Sequence, residues 1–157
     1  MTAPRLSDSI RLVATRSAIS CSRLFVESTL RHWGRGFLVD DTLPLIDELV
    51  TNAVKATGMM DDTVRWTEVT HVEHIAVRLL GFETSIRIEV WDSSPTQLIL
   101  PDDPDSSIKR GCYPASRGKV VWVELPVFPP HRKPSPHPRP VDELERTEPT
   151  CAAASAQ

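Results

Sequence analysis

Glu48 and Asn52 stand four residues apart in the stretch LIDELVTNAVKATG, residues 45–58. On a helix that spacing puts them on one face, with Lys55 and Ala56 continuing the line. A carboxylate so placed can accept a proton or orient a water, and a carboxamide oxygen can coordinate a hard cation such as Mg2+. Far along the chain, the apolar-alternating run 86–91 leads straight into Asp92, followed by Ser93, Ser94 and Pro95. A carboxylate at the end of a buried strand is placed to accept a hydrogen bond from a ligand's amino group. Each feature has a plainer alternative: Glu48 and Asn52 as the solvated face of an amphipathic helix, Asp92 and Ser93 as a turn.

Positioning these groups requires helices followed by strands. SAISCSRLFVESTLRHWG, residues 17–34, places Ala18, Cys21 and Phe25 on one stripe and Val26, Leu30 and Trp33 on an adjoining one, so it reads as a helix closed by Gly34. The second helix is expected to begin at Asp41 or Thr42, which can cap it, with Pro44 in its first turn and Gly58 in a left-handed conformation at its end. Leu49, Val50, Ala53 and Val54 form the arc that would pack on a sheet. Residues 73–82 and 84–92 read as a hairpin turning near Gly81 to Thr84. Ile86, Ile88 and Val90 point to one side of its second strand, and Arg87, Glu89 and Trp91 to the other. Residues 118–125 repeat the pattern, with Val121, Val123 and Leu125 on one face. Helices first and antiparallel-leaning strands after predict an α+β two-layer sandwich with a mixed, largely antiparallel sheet.

The chain has 157 residues, a formal net charge of −3 and 40% hydrophobic content, so one domain plus tails is expected. Residues 1–9 read as an N-terminal tail, 10–125 as the domain, and 126–157 as a proline-rich tail with too few large apolar groups to order itself. That tail could alternatively serve as a docking peptide. The charge balance does not favour direct nucleic-acid binding. No membrane-length apolar run or secretory signal is visible, so the expected location is cytoplasmic. Cys21, Cys112 and Cys151 are odd in number and widely spaced, which predicts free thiols. His71 and His74 lack a third ligand at metal-site spacing and read as a solvated loop.

Taken together, ELVTNAVKA, a strand ending EVWDSSP and the last strand GKVVWVEL resemble the GHKL or Bergerat-fold ATP-binding domain of DNA gyrase B, sensor histidine kinases and anti-sigma serine kinases. The likeness is greatest to the small anti-sigma-type proteins, whose motifs read E-L-V-x-N-A and D-x-S-P, and it covers roughly residues 10–125. It implies that Asn52 holds Mg2+ against ATP phosphates, that Glu48 is the base for an attacking serine hydroxyl, and that Asp92 receives the adenine amino group. Lys55 and Gly111 complete the implied nucleotide-binding candidates. The family's glycine-rich G-x-G-L lid motif has no counterpart between Thr96 and Gly118, where Gly111 and Gly118 are the only glycines. The resemblance therefore implies a truncated ATP lid, with the helix and extra strand before the last strand lost. Lys109, Arg110 and Lys119 could then supply phosphate charge as point contacts, or be simple solvated charges.

Three functions are compatible with these residues. One is an ATP-binding anti-sigma-type serine/threonine kinase that phosphorylates an anti-sigma antagonist. Another is a nucleotide-binding regulator with little catalysis, and the third a degenerate GHKL-fold module that regulates by protein contact without ATP turnover. The implied partners are a sigma factor and/or its anti-sigma antagonist, with a homodimer as a further option. A small α+β protein that binds some other ligand is the unrelated alternative.

Overall fold

The computed structural model describes residues 3–58, 60, 67, 71–96, 104 and 106–127. The expected proline-rich tail lies outside them from residue 128 onward, Cys151 with it, as do residues 97–103 and 105 of the segment expected to hold the lid. The elements run β1 (Leu6–Val13), α1 (Ser17–His32), a 3-10 turn (Gly36–Leu38), α2 (Val39–Thr57), β2 (His74–Gly81), β3 (Ser85–Asp92), β4 (Lys109–Pro114) and β5 (Lys119–Pro126). The strands form an open five-stranded sheet in the order β1-β2-β3-β5-β4. Every ladder is antiparallel, where a mixed sheet was expected. The architecture is α+β and compatible with a two-layer sandwich.

Both helices lie on one face of the sheet. α2 packs on β3, β2 and β5, and α1 packs on α2 and β1. In α2 the buried residues Val39, Thr42, Leu45, Ile46, Leu49, Val50, Ala53 and Val54 recur at helical spacing and meet Ile75, Val77, Leu79, Ile86, Ile88, Val90, Val121, Val123 and Leu125. Residues Ala18, Ser22, Val26, Thr29 and Leu30 are the buried positions of α1. The expected stripe is thus rotated: Cys21 is exposed, and Ser22 is buried with its hydroxyl bonded to the Ala18 carbonyl.

α1 ends as expected. Gly34 has φ +70°, and the Arg35 amide returns to Leu30 O at 2.8 Å while the Gly34 amide reaches Arg31 O at 3.0 Å, the two bonds of a Schellman close. Arg35 then reaches the β2–β3 hairpin, donating to Phe82 O at 2.6 Å. The start and end of α2 differ from the sequence expectation. The helix runs on from the 3-10 turn at Val39, and Thr42, far from capping, is buried and bonds Leu38 O at 2.6 Å. Pro44 is consequently inside the helix, and the carbonyl it leaves without an amide belongs to exposed Asp40, where water can satisfy it. Gly58 is extended, at φ −113° and ψ −163°. Glycine is needed there because a Cβ would sit 1.9 Å from Ala14 O.

Two strands were not anticipated. β1 begins at Leu6, inside the segment read as a tail, and β4 pairs with β5, so an additional strand precedes the last one where its loss was expected. No helix occurs among the described residues between β3 and β4. β1 and β4 are the two edges of the sheet.

The face opposite the helices carries a lattice of opposite charges. Arg78 pairs with Glu89, and Arg87 donates to Glu124 at 2.7 Å while its guanidinium lies 4.5 Å from the Trp122 ring. Burial raises the Glu124 carboxyl, but hydrogen bonds from Arg87 and Ser85, with the Arg87 and Lys109 charges, outweigh it and leave the group below its ordinary 4.5. A carboxylate with a lowered folded-state pKa contributes stability above its ordinary value, and that contribution is lost as pH falls through the folded value. Glu124→Gln should therefore cost about 1–2 kcal/mol near neutrality. The deficit relative to the unsubstituted protein should shrink at about pH 3, as urea midpoints at the two pH values would register.

Candidate functional site

The polar line of α2 and the end of β3 meet at one hollow of about 400 Å³, lined by Asn52, Lys55 and Ala56 of α2, by Ser94 and Thr96 after β3, and by Lys119, the first residue of β5. Asn52 and Lys55 are exposed because they sit where α2 overhangs the rim of the core, while Ala53 and Val54 beside them are buried. Ser94 and Thr96 were not singled out from the sequence as ligands, since an Asp-Ser-Ser-Pro run reads equally as a turn.

Asp92 stands behind this hollow and is only 2% exposed. Its Oδ1 accepts from Lys119 Nζ at 2.9 Å and from the Ser94 amide at 2.8 Å. The pairing follows from sheet register: Asp92 lies directly opposite Lys119 across the β3–β5 ladder, so both side chains emerge on the helix-covered face. The turn that starts β5 is pressed against the same residue. Gly118 has φ +83°, and a Cβ on it would lie 1.8 Å from Asp92 O. From the other side, Trp91 Nε1 donates to Arg117 O at 2.7 Å and clips the β4–β5 turn to β3.

The neighbouring loop is tied to the strand end. Ser93 donates to Glu73 at 2.8 Å, and Glu73 pairs with exposed His71 at 2.9 Å. The Ser93 hydroxyl, then the His71 contact, hold the Glu73 carboxyl below its usual range. Among the described residues no three His, Cys, Asp or Glu side chains are grouped to hold a metal ion.

Glu48 is not in the lining. Arg110 Nη1 of β4 lies 3.0 Å from one carboxylate oxygen and 3.1 Å from the other, bridging both. Arg110 thus faces Glu48 and not the hollow, and Lys109 lies at the start of β4, opposite Glu124 and away from the hollow. Of the three cations proposed as phosphate contacts only Lys119 reaches it. Gly111 is in the middle of β4 opposite Trp122, whose ring a Cβ would meet at 2.5 Å; its smallness serves the indole. A larger hollow of about 620 Å³ lies at the hairpin tip, lined by Pro4, Phe82, Glu83, Thr84, Ser85, Arg87 and Glu124. Its charged groups are already paired, Arg87 with Glu124 and Glu83 with Arg5.

ATP and Mg2+ fit this arrangement at one end only. The amide of Asn52, the hydroxyls of Ser94 and Thr96 and the ammonium of Lys55 suit a phosphate group or a metal delivered with it. The other end is less open to an adenine: the carboxylate that would receive its amino group is only 2% exposed, and its Oδ1 already accepts from Lys119 and Ser94. Glu48 is likewise engaged by Arg110 and stands outside the hollow. Comparison of the sequence with protein-family models and with curated proteins finds no match.

Proposed function

We propose that this protein is a regulatory module of the GHKL type that acts by protein contact, without ATP turnover, in the control of a sigma factor or its anti-sigma antagonist. The observation that carries this reading is the position of Glu48, the carboxylate a kinase would need as its base, outside the lining of the Asn52 hollow and facing Arg110 at the surface. A base must reach the proton it abstracts, and Glu48 is outside the lining of the Asn52 hollow. The order of the motifs ELVTNAVKA and EVWDSSP supports the family and, through it, the class of partner.

The second reading, an ATP-binding serine kinase of the anti-sigma type with Asn52 on Mg2+, is favoured by the shared position of Asn52, Lys55, Ser94 and Thr96 on one hollow. Phosphoryl transfer separates the two. The full chain is incubated with radiolabelled ATP, Mg2+ and a panel of purified sigma factors and serine-bearing antagonists, and association is followed by sedimentation velocity. The expected result is a complex with one of the panel and no label transferred, by the unsubstituted protein or by Glu48→Ala. Label transferred by the unsubstituted protein and lost in Glu48→Ala by about 100-fold or more would establish the kinase instead.

A further inference from the structure

Asp92 and Lys119 are each 2% exposed; Lys119 lies in the wall of the hollow that Asn52 and Lys55 of α2 line, and Asp92 stands behind it. We propose that Lys119 is the specificity-determining residue of that hollow: it lines the hollow while Asp92 does not, and with its ammonium on Asp92 Oδ1 its side chain screens that carboxylate from a ligand's amino group. The hollow is thereby closed to adenine and other amino-bearing bases, and left open to groups that need hydroxyl, amide and ammonium contacts. The proposal rests on the Asn52 hollow being a ligand site, the premise of the second reading above.

The contact is built in by the fold. Register sets Lys119 opposite Asp92, and the close approach of Gly118 to the Asp92 carbonyl holds the start of β5 in place. Displacing the ammonium from Oδ1 would exchange a buried ion pair for a hydrogen bond from a neutral donor and leave a buried cation unpaired. Lys119 has little room to withdraw, since it is buried along its length. Removing the side chain beyond Cβ would free the carboxylate and extend the hollow toward it, leaving a site whose complement is a primary ammonium or an amino-bearing heteroaromatic ring.

Adenosine and inosine test this, because they differ at the ring position that carries an amino group in one and a carbonyl in the other. Titration calorimetry on the full chain should show no preference between them for the unsubstituted protein. Lys119→Ala should bind adenosine about tenfold or more tightly than inosine, the factor expected for about one hydrogen bond to a charged acceptor. Because Lys119→Ala strands a buried carboxylate, its folding is read in parallel: ethylammonium chloride should raise its melting temperature above that in equal potassium chloride, with no such difference for the unsubstituted protein. A tenfold adenosine preference in the unsubstituted protein would overturn the proposal. So would a Lys119→Ala protein that shows neither discrimination nor ethylammonium rescue. Neither result touches the phosphate-transfer assay, so failure of the Lys119 assignment is distinguishable from failure of the regulatory reading.

Discussion

Asp92→Ala should lower the unfolding free energy by about 3–5 kcal/mol, the cost of leaving one member of a buried ion pair without its partner. Lys119 would keep its place among buried groups without the carboxylate it pairs with, and the Ser94 amide would lose its acceptor as well. The effect belongs to the stranded charge, so a second substitution should undo most of it. Asp92→Ala combined with Lys119→Met removes both charges and keeps the apolar stem in place, and exchanges of that kind are close to neutral in packed interiors. Urea midpoints of the two single variants and the double variant give the coupling directly. If the single variants lose no more than surface substitutions do, and no coupling appears, the buried pair is not what secures the β3–β5 end.

The second large effect is expected at Gly118. Gly118→Ala would have to hold a side chain at φ +83° with its Cβ 1.8 Å from Asp92 O and 2.7 Å from Ser93 Cα. Both obstructing atoms are backbone, so no rotamer change relieves them, and the start of β5 must move off the strand end. A loss of about 3 kcal/mol or more follows from strain at that position together with the displaced Asp92–Lys119 contact. Gly34→Ala is the internal control: the same left-handed conformation, at φ +70°, has nothing within 4 Å of the added carbon. It should cost only about 1–2 kcal/mol. Equal losses in the two variants, measured by urea denaturation, would mean that backbone conformation alone matters at Gly118 and that the close approach does not.

What could be read from the residues divides by how far the information has to travel. The arc Leu49, Val50, Ala53 and Val54 and the alternation Ile86, Ile88, Val90 are local patterns with their own periods, and all seven residues are buried. The hairpin turn near Gly81 to Thr84 was legible for the same reason. β1 was not, because an edge strand needs only a partial pattern and Asp8 interrupts the sequence of apolar positions Leu6, Ile10 and Leu12. β4 was hidden further: KRGCYP has no alternation, and its strand state depends on pairing with β5 and on the space Gly111 leaves for Trp122. The site shows the same division. The placement of Asn52 and Asp92 on their elements follows from neighbouring residues. The partners that decide what those elements can do are set at long range: Lys119 for Asp92 by strand register across 27 positions of chain, Arg110 for Glu48 by a contact between β4 and α2 across 62. A helix start was misplaced for a related reason, since the 3-10 turn from Gly36 delivers the chain into α2 already wound and makes a polar cap at Asp41 or Thr42 unnecessary.

The open sheet leaves two margins where a neighbouring chain could add itself by backbone pairing. One margin offers Asp8 and Arg11, charged side chains that an incoming strand would have to accommodate; the other begins with Lys109 and Arg110 and stops at Pro114, which has no amide hydrogen to give. Such borders discourage edge-to-edge templating into fibrils, a protection that a few residues at the rim supply.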